Sequence, residues 1–562
     1  MGQAFAGVAS AGVAFVGVDV GTTSTRAGIF DGHGRLLAAA RHPIQTWHEA
    51  GDVVEQSSDD IWRACCAAVK AALAEAAIAP ELIKGIGFDA TCSLVVLDPL
   101  GRPLTVSSSG DAARNVIVWM DHRALTEARD INATGDEVLR YVGGSISPEM
   151  EMPKLLWLKR HLRASFDAAG HFFDLADFLT FRATDSPARS MCTVTCKWNY
   201  LAHESRWSAA YFRRIGLDDF VAEDYARIGT AIVAPGTPLG RGLSQTAAAE
   251  LGLVAGTPVG AALIDAHAGG IGAIGGRAAD GGEVEVCDRL AYIMGTSACI
   301  MATTRTPSFV PGVWGPYYQG MVPGLWLNEG GQSAAGAAID HLLRAHPASA
   351  EAGAAARAEG LDVISFLEKR IMARSQSVGA AALLARDIHI LPEFLGNRSP
   401  HADPGSRAAI AGLDLDSDIS AMERLFVAGL CGLAYGLADV IDAFAANGVS
   451  SRTLVMAGGA SRSPLVRQIM ADTTGLTVAL PGTQEPVLLG AAMLGAVASG
   501  AFRSIGETMA SMSSLGRLSD PTEPGIASFH HRKRRVHRLL QTLDRESRSV
   551  MHGADGRQEH AS

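Results

Sequence analysis

The sequence predicts an α/β fold in duplicate, with two domains of similar plan. Residues 15–31, FVGVDVGTTSTRAGIFD, run from an apolar strand through a small polar turn into a second apolar strand, which is a β-hairpin pattern. Residues 290–302, LAYIMGTSACIMA, repeat this pattern near the middle of the chain. A chain of 562 residues is also too long for a single hydrophobic core, so two domains are expected.

The tips of both hairpins consist of small residues that suit a phosphate group. Glycine lets the backbone approach a ligand closely, and consecutive N–H groups form a concavity that binds anions. Asp19, at the end of the first strand, suits a complex of metal and phosphate. An ordinary hairpin explains the first stretch equally well, but the second copy favours a nucleotide between the halves. The three glycine turns concerned are Gly21-Thr22-Thr23, Gly295-Thr296-Ser297 and, farther along the chain, Gly458-Gly459-Ala460.

The composition is that of a globular protein rich in turns, with 48% apolar residues and 62 glycines. A net charge of −10 argues weakly against nucleic acid and anionic membranes as partners. The eight cysteines include no CxxC pair, so neither a zinc site nor a disulfide framework is indicated, and a reducing cytoplasm fits. The first residues carry no basic charge, which excludes a secretory signal pattern, and we expect a disordered lead there. No apolar run reaches the ~20 residues of a membrane helix.

Along the first half, strands repeatedly end at an acidic residue. The strand predicted over residues 83–89 ends at Asp89, that over 116–121 ends at Asp121, and that over 257–263 leads to Asp265. Ligands of open α/β sheets bind at such strand ends. The other elements predicted here are strands over 35–42 and 94–98, a polar loop over 47–58, helices over 61–77 and 172–181, and a loop and helix over 147–163.

The second half continues with a strand over residues 326–333 that enters a helix, and with a long apolar helix over 421–447. The basic cluster at 530–535 is followed by leucines at helical spacing, which favours a docked terminal helix with a solvated basic face. The loop over 311–317 is aromatic, and binding and core packing explain it equally well. Other predictions are an Ala-rich helical region over 348–374, a strand and loop over 388–398 and helices over 463–474 and 487–499.

Three candidate residues each have a plain structural alternative. Asp121 is followed by Arg123, and the two could form a structural ion pair. Lys197 lies in an otherwise uncharged patch, although a lone lysine is usually solvated. Asp265 stands at a strand end before a run of small residues, which makes room for a substrate beside the carboxylate, but an N-cap is the alternative.

The hairpins and the third glycine turn resemble the superfold of sugar kinases, actin and heat-shock chaperones. Within it the chain resembles the FGGY carbohydrate kinases, from about Phe15 to near Leu540. The segment 154–158 resembles the first signature of that family, although Glu151 stands where the signature prefers Pro, Ser or Thr. The resemblance implies ribonuclease H-like (actin/hexokinase-type) domains around a nucleotide cleft. It implies an N-terminal domain at 14–286 on the sugar and phosphate side, a C-terminal domain at 287–550 on the nucleotide side, and disordered ends at 1–13 and 551–562.

Carried over by position, the resemblance implies a role for each candidate. Asp265 would be the catalytic base, and Asp19 would hold Mg²⁺. The sugar would contact Ala90, Asp121, Lys197, Asp265 and Glu329. ATP would contact Gly21, Thr22, Thr23, Gly295, Thr296, Ser297, Gly331, Gly458, Gly459 and Ala460.

The segments 88–95, 196–198 and 328–333 look most like the ribulokinase branch, and TCSLV within the first resembles the D-ribulose kinases. The implied reaction is ATP-dependent phosphorylation of the terminal hydroxyl of D-ribulose to D-ribulose 5-phosphate. L-ribulose, xylulose or a pentitol such as ribitol are alternative substrates, and the pattern typical of glycerol kinases is absent. A nucleotide-gated binding protein without sugar turnover, like actin or the chaperones, is the alternative from another class. The expected partner is a small sugar, with neither nucleic acid nor membrane, and a homodimer is left open.

Overall fold

Two sheets of the same strand order form the framework of the chain. The computed structural model describes residues 12–50, 52–277, 285–522 and 524–552. Residues 1–11 and 553–562, on which the predictions of disordered ends fall, lie outside that range. The domain boundaries at 286 and 550 stay predictions.

The first half contains twelve strands and ten α-helices within its described residues. The strands are β1 Ala14–Val20, β2 Ser24–Asp31, β3 Leu36–Pro43, β4 Thr46–Glu49, β5 Val53–Gln56, β6 Ile83–Ala90, β7 Leu94–Leu97, β8 Val116–Ile117, β9 His171–Asp174, β10 Arg189–Ser190, β11 Ile232–Val233 and β12 Val259–Ile264. The helices are α1 Ser58–Ala76, α2 Leu125–Ala133, α3 Glu151–His161, α4 Arg163–Ala168, α5 Leu175–Thr184, α6 Met191–Lys197, α7 Ala209–Arg214, α8 Asp218–Ala222, α9 Gln245–Leu251 and α10 Asp265–Ile274.

The second half contains nine strands and eight α-helices within its described residues. The strands are β13 Arg289–Met294, β14 Ala298–Thr304, β15 Trp314–Tyr318, β16 Trp326–Gln332, β17 His389–Leu391, β18 Ala409–Ala411, β19 Thr453–Ala457, β20 Thr477–Pro481 and β21 Leu515–Ser519. The helices are α11 Gly336–Ala345, α12 Ser349–Ala358, α13 Val363–Arg374, α14 Ile419–Ala446, α15 Pro464–Thr474, α16 Pro486–Ala498, α17 Ile505–Met512 and α18 Pro524–His552.

The predicted duplication is confirmed by the topology of the sheets. The first sheet has the order β3-β2-β1-β6-β12, and the second contains β16-β14-β13-β19-β20 with β15 and β21 added at its edges. In each sheet the first three strands are antiparallel neighbours, and the last two run parallel to the central strand. Each half is therefore one meander followed by two crossovers, and both predicted hairpins lie at the same place in their sheets.

Two apolar helices, one from each half, pack together between the sheets. Helix α10 contacts α16 and also strands β13, β19 and β20, whereas α16 contacts β1, β6 and β12. Their backbones are in direct contact at glycines. An added Cβ on Gly490 would lie 1.9 Å from the carbonyl oxygen of Ala268, and one on Gly272 would lie 1.9 Å from that of Pro486. The spacing between the halves is thus set by backbone contact.

Several local predictions are wrong in detail. The region 47–58 is not a loop, because β4 pairs with β5 and β5 also pairs with β8. Residues 172–181 begin as a strand, because β9 pairs with β7 and buries Phe172 and Phe173. In both cases tertiary pairing outweighs the local sequence preference. The predicted helical region 348–374 consists of two helices, α12 and α13.

Helix α14 is the one helix among the described residues that is long and apolar enough to cross a membrane. Its mean hydropathy reaches 1.6 over an 18-residue window, but 78% of that window is buried inside the protein. It is therefore a core helix of the second half. Helix α18 docks beside it, with Arg534 bonded to Asp439 and His530 to Tyr435. The predicted solvated basic face is found at Arg532 and Arg535, whereas Lys533 is buried and donates to the Ala385 carbonyl.

The contact between α10 and α16 predicts the outcome of adding one methyl group. Gly490→Ala is expected to lower the stability of the protein by about 1–3 kcal/mol or more, because the methyl group overlaps the Ala268 carbonyl. Gly353→Ala is the matched control, since its added Cβ meets nothing closer than 3.5 Å. Urea unfolding of both variants measures the difference. Equal stability of the two would mean that the helices do not touch as described.

Candidate active site

Three parallel strands deliver carboxylates to one edge of the first sheet. Asp19 lies opposite Asp89 in the register of β1 and β6. Asp265 follows β12 directly, at the start of α10, and β12 is paired with β6 up to Ile264 opposite Ala90. Asp19 and Asp89 are buried, and Asp265 is half-buried. The predicted clustering of acids at the strand ends is therefore present.

The crowding of these acids changes their proton affinity. Partial withdrawal from water and the charge of Asp19 raise the pKa of Asp265 to about 6. Burial and the charge of Asp19 also raise the pKa of Asp89 well above its usual range. Neither carboxylate oxygen of Asp89 has a hydrogen-bond partner among the described residues. This edge of the sheet therefore has more acidic groups than positively charged partners, and such a site suits a cation.

Asp19 is tied to the second half of the chain by one arginine. Arg26 donates from Nε to Asp19 at 2.8 Å and from Nη1 to Glu485 at 2.7 Å. Glu485 immediately precedes α16. This bridge holds the carboxylate of Asp19 beside the first hairpin tip.

The two hairpin tips are exposed and held by a bond of the same kind. The N–H of Gly21 donates to the Ser24 carbonyl at 3.0 Å, and the N–H of Gly295 donates to the Ser297 carbonyl at 2.8 Å. Trp119 fixes the first tip by donating its ring N–H to the Thr22 hydroxyl at 3.1 Å. Both tips consequently present their small residues to solvent.

A cavity of about 610 Å³ adjoins the second tip. It unites that tip with the third glycine turn. Gly458 has φ of +98°, and a Cβ on it would lie 2.1 Å from the carbonyl of Met294, so only glycine fits. Acidic side chains from α11 and α13 lie on the opposite wall. Its lining includes Gly295, Thr296, Gly459, Ala460, Asp340, Glu368, Ile339 and Phe426.

Beyond Asp265, a buried group of charges surrounds Glu329. Its carboxylate lies 3.8 Å from Lys197 Nζ, 3.4 Å from Arg398 Nη2 and 3.3 Å from His267 Nε2. Burial alone would raise the pKa of Glu329, but Lys197, His267 and Arg398 together lower it. Glu329 is therefore ionised, and the cluster offers both donors and an acceptor to a polar ligand.

Trp314 forms one wall of this cluster. The ammonium of Lys197 lies 4.3 Å from the centre of its ring, and the guanidinium of Arg398 lies 4.2 Å from it. Both distances are within the range of cation–π attraction. The aromatic loop at 311–317 thus contributes to a polar pocket through Trp314, while Tyr317 is buried.

Lys197 is not solvated, as a lone lysine usually is. Its side chain is 4% exposed, and it faces Glu329 in the other half of the chain. Ala90 is buried at the end of β6, next to the acids. Gly331 lies against Arg398 and the Ala298 carbonyl, outside the cavity that contains Gly295 and Gly459. The structure therefore puts Gly331 on the Glu329 side of the cleft.

The prediction that Asp121 contacts a substrate is contradicted by its surroundings. Its carboxylate is fully buried and accepts bonds from the Val54 N–H at 2.7 Å and from the Arg123 side chain at 2.7 to 3.0 Å. Arg123 continues to Glu55. Asp121 is hence the acid of a structural ion pair, which was the plain alternative.

Sequence reasoning missed four residues of the Glu329 cluster. They come from separate loops or from positions with no motif, so only folding brings them together. Glu149 is one of them: burial raises its pKa, but His122, Arg398 and Lys197 lower it overall. The aromatic loop was the one signal that pointed to any of these residues. The four are Glu149, His267, Trp314 and Arg398.

A duplicated α/β fold, a nucleotide-sized cavity within its second half and a buried polar cluster shared by the two halves are the features of a phosphotransferase of the sugar kinase type. The N-terminal domain of the FGGY family of carbohydrate kinases matches residues 14–272, and the C-terminal domain matches residues 290–499. The chain belongs to this family, and kinases of this family use ATP. The predicted resemblance and fold class are confirmed.

Curated relatives cover nearly the whole chain. An FGGY carbohydrate kinase domain-containing protein of Homo sapiens is 46% identical over 90% of this chain and 92% of its own length. A D-ribulokinase of Saccharomyces cerevisiae is 36% identical over 87% of this chain and 72% of its own. A ribulokinase of Geobacillus thermodenitrificans is 28% identical over 95% of both. These similarities support the ribulokinase branch.

Solved structures share the fold. The xylulose kinase of Rhodospirillum rubrum superposes with a TM-score of 0.76 at 20% identity, covering 94% of this chain and 98% of its own. The glycerol kinase of Plasmodium falciparum with ADP gives 0.73 at 15% identity over 94% and 98%. Identities this low establish the arrangement of the domains and nothing about the substrate.

The burial of Asp121 predicts a variant that loses stability and keeps its affinity for sugar. Asp121→Asn is expected to cost about 3–5 kcal/mol at most, because it leaves Arg123 beside an amide in a buried site. The KM for the sugar should stay within about twofold, because Asp121 is bonded to Val54 and Arg123, and sites that share no partners usually act independently. Urea unfolding and steady-state kinetics measure the two effects. A large rise in sugar KM at unchanged stability would restore Asp121 to the substrate site.

Proposed function

We propose that this kinase transfers the γ-phosphate of ATP to the terminal hydroxyl of D-ribulose and forms D-ribulose 5-phosphate. One observation carries the proposal: Asp265 follows β12 at the sheet edge that bears Asp19, and His267, two residues later, contacts Glu329 in the polar cluster. A single carboxylate is thus placed between a phosphate region and a sugar-sized cluster of donors and acceptors. Phosphoryl transfer needs this kind of positioning more than it needs covalent chemistry.

Asp265 is the residue we assign as general base. A base is most effective when its pKa lies near the working pH, and the pKa of Asp265 is raised to about 6. Above that value the carboxylate is free to accept the proton of the attacking hydroxyl. Its position at a strand end gives it a rigid backbone, and the Ala266 N–H donates to its Oδ1 at 2.7 Å.

The ATP phosphates would be held by the two hairpin tips, through backbone N–H groups and the hydroxyls of Thr22, Thr23, Thr296 and Ser297. The adenosine would occupy the cavity of about 610 Å³ beside Gly459 and Ala460. Gly458 belongs to the same turn, whereas Gly331 does not reach it, so we leave Gly331 out of the nucleotide site.

The acidic edge fits a divalent cation. Asp89 has two unpartnered oxygens in a buried position, and Asp19 stands opposite it. Carboxylates and water are the ligands that Mg²⁺ takes. We propose that Asp19 holds Mg²⁺ through water, with Asp89 beside it, and that the ion neutralises phosphate charge when bound.

The polar pocket suits a pentulose. Lys197 and Arg398 can donate to a ketose oxygen and to hydroxyls, and Glu329 can accept from hydroxyls. The identity of 36% to a protein described as a D-ribulokinase favours D-ribulose over L-ribulose, xylulose and ribitol. Lys197, Glu329 and Ala90 are the predicted contacts that we retain, and Asp121 is not. The unpaired cysteines fit a reducing compartment, and we propose the cytoplasm.

If Asp265 is the base, its replacement should lower kcat and leave nucleotide binding unchanged. Asp265→Asn should lower kcat by about 10²- to 10⁴-fold, because the amide cannot accept the proton, while the Kd for ATP stays unchanged. A coupled ADP-release assay and equilibrium nucleotide binding measure the two. Asp59→Asn, at an exposed position, is the matched control. In the wild type, kcat/KM should fall as pH drops below about 6, where Asp265 becomes protonated. Retained turnover in Asp265→Asn would exclude this base.

A panel of sugars tests the substrate. We expect kcat/KM for D-ribulose to exceed that for L-ribulose, D-xylulose and ribitol by about tenfold or more, which corresponds to one well-placed hydrogen bond to a charged group. Faster turnover of another polyol would overturn D-ribulose. ATP hydrolysis that is equally fast with and without sugar would instead favour the nucleotide-gated binding protein.

A further inference from the structure

His267 lies two residues after the proposed base and joins the two halves of the chain. Its ring is fully buried. Nδ1 lies 3.1 Å from the sulfur of Cys192 on α6, in the first half. Nε2 lies 3.3 Å from Oε2 of Glu329 on β16, in the second half. The imidazole is thus a bridge between a thiol and the carboxylate at the centre of the sugar pocket.

The protons of this ring can be assigned from its partners. Glu329 is ionised, so it can only accept a hydrogen bond. Nε2 must therefore carry a proton and donate it. Cys192 occupies the other nitrogen, either as a thiolate that accepts from Nδ1–H or as a thiol that donates to bare Nδ1. In both cases Cys192 keeps the tautomer in which Nε2–H is directed at Glu329.

Cys192 is itself held against the catalytic strand. The backbone N–H of Ile264, the residue before Asp265, donates to its sulfur at 3.5 Å. Lys197, which also faces Glu329, lies at the other end of the same short helix. The helix with Lys197, the strand end with Asp265 and the strand with Glu329 therefore meet at this pair.

We propose that Cys192 and His267 are positioning residues that fix the carboxylate of Glu329 for sugar recognition, through the chain Cys192–His267–Glu329. This rests on the proposed role of Glu329 in binding sugar. Neither residue touches the sugar. They supply a donor from α10 to Oε2 of Glu329, which fixes the carboxylate in addition to its ion pairs with Lys197 and Arg398.

A metal site is the competing explanation of the same residues. The sulfurs of Cys192 and Cys196 and a nitrogen of His267 lie within 4.8 Å of one another, all buried. The sequence did not predict this group, because its cysteines do not form a CxxC pair. Structural zinc sites, however, take four protein ligands, and Glu329 lies at the far nitrogen of the ring. The hydrogen-bond chain accounts for both contacts of the His267 ring without a metal.

Two substitutions of His267 separate a positioning role from simple packing. Glutamine carries its amide near the place of Nε2 and can still donate to Glu329, whereas asparagine carries it near Nδ1 and cannot. His267→Asn should raise the KM for sugar about tenfold or more, which is the usual effect of losing a bond to a charged group, and leave the KM for ATP within about twofold. His267→Gln should stay within about threefold of wild type for both. Equal sugar KM values for the two variants would overturn the proposal.

The thiol gives a second and independent pair. Cys192→Ala should raise the sugar KM, and Cys192→Ser, which keeps a hydroxyl at Nδ1, should restore it. Cys431→Ala, a buried cysteine in α14, is the control and should change neither KM. If His267→Asn does not fold, this pair decides. Equal effects of Ala and Ser at 192 would overturn the proposal.

Two further measurements keep the outcomes distinct. The kinetics use whichever sugar the wild type phosphorylates fastest. If that sugar is not D-ribulose, the proposed substrate is wrong, but the test of Cys192 and His267 is still valid. The zinc content of the purified wild type and of Cys192→Ala is measured as well. One zinc per chain that is lost in Cys192→Ala would replace the positioning role with a metal site, and its absence supports the hydrogen-bond chain.

Discussion

The site depends on the direct contact between α10 and α16. These helices lie between the sheets, and glycines remove every side chain from the points where their backbones touch. Asp265 is the first residue of α10, and Glu485 immediately precedes α16. The same contact that fixes the distance between the halves therefore fixes the base against the phosphate hairpins. Larger side chains at this contact would move Asp265 away from the phosphate hairpins.

Electrostatics gives the two ends of the cleft opposite characters. At the sheet edge, the pair of Arg26 with Asp19 is the one salt bridge that the described residues make to the three carboxylates, which favours a cation. In the sugar pocket, Glu329 is surrounded by Lys197, Arg398 and His267. This set of groups favours a neutral polyol, because hydroxyl groups can both donate and accept hydrogen bonds. Asp265 stands between them with a raised pKa. Buried charges of this kind are strongly constrained in geometry, because an unpaired one is costly.

Much of this arrangement was readable in the chain. The two hairpins, their glycine tips and the strand ends at Asp19, Asp89 and Asp265 are local patterns, and each was found where predicted. Lys197 and Glu329 were assigned by resemblance to the FGGY family, and they face each other across the cleft. The role given to Asp121 was wrong, since the spacing of Asp121 and Arg123 does not reveal whether the acid points to a pocket or back to this arginine.

The sequence by itself determined the repeated α/β plan, because strand alternation and glycine turns are properties of neighbouring residues. It also determined which acids stand at strand ends. Only the tertiary structure decided which distant side chains share a pocket: Arg398, Trp314 and the Cys192–His267 pair reach Glu329 or its partners from four separate segments. Hydrogen bonds and ion pairs act over a few ångströms, and the folding of the chain, rather than any spacing along it, brings these groups within that range.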